Sequence, residues 1–245
     1  MNNRYCRQIE LVDQDKLNGS SVICIGAGGV GVPFLMYIVS SGVGQVFVFD
    51  DDEICLHNLQ RQFIYTEDEI GSNKAETISR KLLNRNSKVK VKAFNERVTA
   101  KRLDDIVQSV NDKSKVLIVD CSDNYETMLF SHDYALHNHL KFLYGSAEVL
   151  QGLVSFYDYE DDDYLERYGC LRCLGFKTNV EKTSNQILGP VAGVIGAFMA
   201  EQTLQILSGN IKNNYLYGKI MFYQMGKIKY LVLDSDNECK HKANW

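Results

Sequence analysis

The sequence predicts an α/β fold, a Rossmann-like, doubly wound and mostly parallel sheet with a C-terminal antiparallel hairpin extension. Three observations lead there. Apolar, β-branched runs of strand length recur with helix-length segments between them, the first run ends in a glycine-rich turn, and two alternating segments lie near the C-terminus. The chain has 245 residues, 45% of them hydrophobic and 24% charged, which suffices for one sizeable core and argues against disorder. No internal repeat or low-complexity linker divides it, so residues 1–245 read as a single domain, with a loop region at 170–187 and a hairpin and tail at 219–245.

The elements follow in order. SSVICIG (20–26) reads as a buried strand running into glycines, and residues 30–41 as the helix after it. QVFVFD (45–50) is a second buried strand that stops at four acids, which completes a βαβ unit. A helix over 74–85, a strand over 89–94, a helix over 103–110 and the strand KVLIVDC (115–121) continue the alternation, and such crossovers build a parallel sheet. Lys88, Lys90 and Lys92 alternate with apolar residues, as on the solvated face of an edge strand. After Asp123 a helix runs to His139, followed by strands at 141–144 and 148–159. The acidic stretch EDDDYLE (160–166) reads as an exposed loop, and residues 169–186 as a long irregular connection. Residues 188–207 form a mostly buried helix, and 219–223 with 228–233 form the hairpin before a polar tail.

Charge and composition exclude several classes. The 27 Lys and Arg are outnumbered by 31 Asp and Glu, a formal net charge of −4, so no basic excess is present to neutralise DNA. The first residues contain no apolar leader-like run, and the longest apolar run, 188–200, meets Glu201 before it could span a bilayer. The expectation is a cytoplasmic protein with no membrane partner. Of seven cysteines, Cys24 and Cys121 fall inside apolar strands as reduced core thiols, which leaves Cys170, Cys173 and Cys239 for chemistry.

GAGGVG (26–31) fits G-x-G-x-x-G at a strand-to-helix turn, where Gly26, Gly28 and Gly29 let backbone N–H groups approach a phosphate. Asp50, 24 residues after Gly26, stands where a carboxylate accepts from ribose hydroxyls. That pair does not separate NAD from ATP. The segment HNLQRQ (57–62) follows, with Asn58 and Arg61 three apart on one face of a helical turn, and Lys74 opens a later helix. Asp123 sits at the carboxyl edge of the sheet, where a carboxylate facing phosphates holds Mg²⁺ rather than repelling them. A glycine cradle, two cations, a metal-binding acid and a ribose acid describe a triphosphate site.

RYCRQI, GAGGVG, FDDDEICLHNLQRQ, IGSNK, DCSDN, CLRC and GPVAGVIG, in that order, carry a resemblance over almost the whole chain. The sequence resembles the ThiF/MoeB-type adenylyltransferases, which activate sulfur-carrier proteins and are relatives of the ubiquitin-activating enzymes. The resemblance implies an ATP site formed by Gly26, Gly28, Gly29, Asp50, His57, Asn58, Arg61, Lys74, Asp123 and Asn124, with Asp123 also holding Mg²⁺. It implies a homodimer in which Arg7 reaches the partner's ATP. The implied reaction is attack of a carboxylate, usually the C-terminal Gly-Gly of a ubiquitin-like carrier protein, on the ATP α-phosphate, giving an acyl-adenylate and pyrophosphate.

This sequence departs from the family pattern twice. The resemblance implies a tetrahedral zinc site begun by Cys170 and Cys173 and closed by a second CxxC, but the tail reads ECKHKANW. Cys239 remains, Lys242 stands where its partner is expected, and His241 is the substitute fourth ligand. Residues 174–188 contain no cysteine where thioester- or persulfide-forming relatives carry one, so adenylation without an enzyme thiol is expected there. The alternatives are adenylation of a peptide or modified-tRNA carboxylate, an NAD-dependent oxidoreductase, for which no hydride-transfer acid is visible, and a binding module without turnover.

Overall fold

The computed structural model describes residues 4–174 and 186–233. A short helix α1 (Gln14–Asn18) leads into strand β1 (Ser21–Ile25), helix α2 (Gly31–Ser40) and strand β2 (Gln45–Phe49). Then come α3 (Lys74–Arg85), β3 (Lys90–Phe94), α4 (Ala100–Ser109), β4 (Val116–Asp120), α5 (Tyr125–His137) and β5 (Lys141–Glu148). The remainder is β6 (Gln151–Asp158), α6 (Asp162–Tyr168), α7 (Gly189–Leu207), β7 (Lys219–Gln224) and β8 (Lys227–Val232).

The eight strands form one sheet in the order β3-β2-β1-β4-β5-β6-β7-β8. The first five are parallel, as the βαβ pattern predicts, and β6, β7 and β8 run antiparallel. Strand period decides which face each residue serves. Val22 and Cys24 join the cluster built with α2, α3 and α7, while Ile23 and Ile25 join the opposite cluster built with α4, α5 and α6. β1 and β4 are buried along their whole length and β8 is exposed along its whole length. Among the described residues no helix is long and apolar enough to cross a membrane.

Local chemistry explains the boundaries. Asn73 caps α3 by accepting the Glu76 N–H at 3.0 Å, so the helix spans the predicted 74–85. Lys88, Lys90 and Lys92 are exposed on or beside the edge strand β3, with the Lys92 ammonium 5.1 Å from the centre of the Phe94 ring. Cys24 and Cys121 are buried and outside any disulfide. One expectation fails: residues 160–166 are not an exposed loop, because Asp162–Tyr168 is a helix that buries Tyr164 and Leu165. Asp161 accepts the Asp163 N–H at 3.1 Å, and Asp162 and Asp163 fall in the first turn, where acids favour the positive helix terminus. The acidity that suggested a loop is the signature of that helix start. Most of the long connection expected at 169–186, and the polar tail, lie outside the described residues, although residues 171–174 form a 3-10 turn.

Candidate active site

The strand order reverses direction at β1, which lies between β2 and β4, so a crevice opens at their carboxyl ends where open α/β sheets bind ligands. The glycine turn lines it. Gly26 has φ +98°, and a Cβ there would sit 2.9 Å from the Cys121 carbonyl carbon. At Gly31 a Cβ would stand 2.1 Å from the Gly26 carbonyl oxygen, so the first turn of α2 lies directly on the turn before it. Val30, the cap residue of α2, offers no side-chain acceptor, and no acid occupies the first turn. Within α2 the Val32 and Phe34 N–H groups already donate to the Gly28 and Val30 carbonyls, at 2.9 and 3.3 Å, and Pro33 has none. It is therefore the N–H groups of Gly28, Gly29, Val30 and Gly31, with the positive helix end, that face a ligand as a cradle fit for an ATP phosphate.

Arg61 follows a 3-10 turn over Leu56–Asn58 and packs its side chain across the glycines: a Cβ on Gly29 would lie 3.3 Å from its Cγ and Cδ. Its Nη1 donates to the His57 carbonyl at 3.0 Å. The His57 ring is exposed, whereas Asn58 is buried and its Oδ1 accepts the Cys55 N–H at 3.1 Å, closing the turn that carries Arg61. Gln62, also buried, lies beside Gly28, where a Cβ would be 3.4 Å from its Nε2. The far wall is α7. Gly189 leaves no room for a Cβ beside the Gln60 carbonyl, at 2.6 Å, nor Gly196 beside the Val30 carbonyl, at 2.3 Å. GPVAGVIG thus serves close packing of α7 on the phosphate corner.

Asp50 directly follows β2 with its carboxylate turned to the glycine turn, Oδ2 accepting the Ala27 N–H at 2.7 Å and Oδ1 the Asp52 N–H at 3.0 Å. Burial raises this carboxyl, against the Lys74 charge and the two N–H groups, which lower it. Lys74 is not a solvated helix residue: its side chain is 6% exposed and its Nζ lies 2.6 Å from Asp52 Oδ2, a carboxylate 69% exposed. Asp52 was no part of the site read from the sequence, where it was one of four adjacent acids. Asp123 is exposed in the loop between β4 and α5, two residues past the Cys121 carbonyl that abuts Gly26. Asn124 caps α5 by accepting the Thr127 N–H at 3.0 Å. Behind them Asp120 is wholly buried and accepts the N–H and hydroxyl of Ser122 at 2.9 and 2.7 Å. Burial drives its carboxyl up to about 6 against those two bonds.

Gly26, Gly28, Gly29, Asp50, Arg61 and Lys74 therefore gather around one crevice, with Asp123 and Asn124 on its β4 side. Arg7 does not join them within one chain. It is exposed, and its neighbours Tyr5 and Gln8 pack at the other end of α2, Gln8 Nε2 donating to the Ser41 carbonyl at 2.8 Å. The thiols of Cys170 and Cys173 lie 3.7 Å apart, close to the roughly 3.8 Å edge of a tetrahedral site with Zn–S bonds of about 2.3 Å. Cys239 and His241 lie outside the described residues, and among the described residues no group of three His, Cys, Asp or Glu could hold a metal. The cysteine turn is anchored by Arg172, whose Nε donates to Asp133 Oδ1 at 2.6 Å while Nη2 bonds Oδ2.

A glycine turn at the switch point of a doubly wound sheet defines the class of α/β proteins that bind their ligands at that crevice. The chain belongs to the ThiF family, whose model matches residues 2–241. It is 31% identical over 231 residues to a probable molybdopterin-synthase adenylyltransferase of Porphyra purpurea, covering 91% of this chain and 56% of that protein. To the sulfur carrier protein ThiS adenylyltransferase of Escherichia coli K12 it is 32% identical over 217 residues, covering 84% of this chain and 81% of that one. The chain spans about half the length of several curated relatives it matches. Escherichia coli MccB, solved with ATP, shares the fold with a TM-score of 0.81 at 21% identity, over 99% of this chain and 74% of that one.

Proposed function

We propose that this chain is an ATP-dependent adenylyltransferase that activates the C-terminal carboxylate of a small ubiquitin-like sulfur-carrier protein ending in Gly-Gly. The observation that carries the reading is the crevice at β1 and β4, where Arg61 lies across the glycine turn and a buried lysine opens α3 beside the ribose acid. Membership of a family with adenylyltransferase members supports it. A carboxylate oxygen of the carrier attacks the α-phosphorus, the bond to the β-phosphate breaks, and pyrophosphate leaves. The backbone N–H groups of the glycine turn, Gly28 to Gly31, bind phosphate oxygens, Arg61 and Lys74 neutralise the charge that spreads over them, and Asp50 receives the ribose hydroxyls. Mg²⁺, held by Asp123, supplies further charge neutralisation when bound. No acid-base group is required, because the attacking carboxylate is already ionised.

The assembly in this reading is a homodimer. By the family resemblance Arg7 reaches the site of a second copy, which is compatible with its exposure and with its neighbours packing at the end of α2 away from the glycine turn. Zinc joins the reading through Cys170 and Cys173, with Cys239 and His241 as the remaining ligands. A second reading, adenylation of a peptide or modified-tRNA carboxylate, is favoured by the absence of cysteine from residues 174–188.

ATP–pyrophosphate exchange with Mg²⁺, with and without carriers ending in Gly-Gly, tests the assignment. Carrier-dependent exchange that falls by about 10²- to 10³-fold in Asp123→Ala supports it. Exchange supported only by a peptide or tRNA selects the second reading, and none with any acceptor rejects both.

A further inference from the structure

Tyr65 had no place in the site read from the sequence, yet it touches both halves of the phosphate corner. Its ring is buried, and its hydroxyl lies 2.9 Å from the Ala27 carbonyl in the glycine turn and 3.2 Å from the Lys74 carbonyl in the first turn of α3. The other polar group of Ala27, its N–H, donates to Asp50. The Asp50 carbonyl in turn accepts from Asn73 Nδ2 at 3.1 Å, and Asn73 is the cap of the helix that Lys74 begins. The bonds therefore close into a ring: glycine turn, Asp50, Asn73, Lys74, Tyr65 and back to the glycine turn. Burial pushes the phenol far above its ordinary range, so it stays a neutral O–H donor. A buried hydroxyl facing two carbonyls is costly to strand, and each link in a closed ring limits the movement of the others.

We propose that Tyr65 is a positioning residue whose hydroxyl locks the glycine turn to the first turn of α3 and so fixes the Lys74 ammonium relative to the phosphates. This rests on the ATP-site reading above. Tyr65 touches no substrate. It acts through the distance between two groups that do, and misplacement of such groups by about 1 Å can cost up to about 10²-fold in rate.

The test is ATP–pyrophosphate exchange by the full chain as wild type, Tyr65→Phe, Lys74→Ala and the double variant, with thermal melting of each. Tyr65→Phe is expected to lower kcat about tenfold and leave the KM of the carboxylate acceptor unchanged. On the Lys74→Ala background the same change is expected to cost less than about twofold, because the group being positioned is gone. Asn73→Ser opens the ring at another link while keeping a cap acceptor, and the same coupling to Lys74 is expected there. It decides the matter if Tyr65→Phe does not fold. Wild-type kcat in Tyr65→Phe, or an equal loss on both backgrounds, overturns the inference. Absence of exchange in the wild type rejects the adenylation reading instead. ATP affinity of the same proteins by calorimetry then decides on Tyr65, where weakening by Tyr65→Phe that vanishes on the Lys74→Ala background supports it and a change below about twofold overturns it.

Discussion

At the glycine turn the chain is held by side chains it lacks, whereas at the Cys170–Cys173 turn it is held by charges it carries. Gly26 and Gly31 let three backbone segments meet where any Cβ would collide with a carbonyl. The cysteine turn hangs on the Arg172 guanidinium, paired with Asp133 on α5, itself bonded to His132 at 2.9 Å. The first arrangement depends on shape and does not titrate. The second depends on a carboxylate staying ionised: burial raises Asp133, but Arg172 and His132 outweigh it and hold the group at about 2. The shape at Gly26 and Gly31 is the same at every pH, whereas the cysteine turn is fixed only while a proton stays away.

The largest expected effect comes from Gly31→Ala, whose Cβ would overlap the Gly26 carbonyl. Loss of about 3 kcal/mol or more in urea unfolding is expected, equal at pH 7 and pH 4. A cost below about 1 kcal/mol would show that the glycine corner yields, and would end the contrast.

Arg172→Ala should cost less, about 1 to 2 kcal/mol at pH 7, and its signature is the pH dependence. Asp133 titrates lower in the folded chain than its ordinary 3.8, so its contribution is present above about 4 and lost as pH falls towards about 2. Wild-type stability is expected to drop through that window, and the variant's to drop less. Parallel curves would remove the ion pair as the cause.

Much of this contrast was legible in the residues and part of it was not. The strand-glycine-helix unit, the capped start of α3 and the parallel alternation are local patterns, and local patterns survive folding unchanged. The role of Asp133, and that of Tyr65, depend on contacts 39 and 38 positions away in the chain, to Arg172 and Ala27, and nothing in a single segment announces them. Lys74 was legible as a cation of the site but not as the partner of Asp52, because a run of four acids gives no sign of which one meets the lysine. Residues 160–166 were misread because acids mark both loops and helix starts, and only the buried Tyr164 and Leu165 distinguish them.

The smallest effect is expected at neither corner. Lys92→Ala, on the exposed edge strand, removes a cation from the Phe94 ring and should change stability by no more than about 0.5 kcal/mol at any pH. A larger change would mean that the sheet edge, rather than the two corners, limits stability.

The pairing of β1 with β4 also bears on how the protein is made. Ser21 lies opposite Val116, 95 positions further along the chain, and the crevice exists only between those two strands. A ribosome that has extruded β1, β2 and β3 has therefore made the glycine sequence without making the crevice, whose formation must wait for a long loop to close. Binding competence and completion of the parallel sheet are one event in the life of the polypeptide.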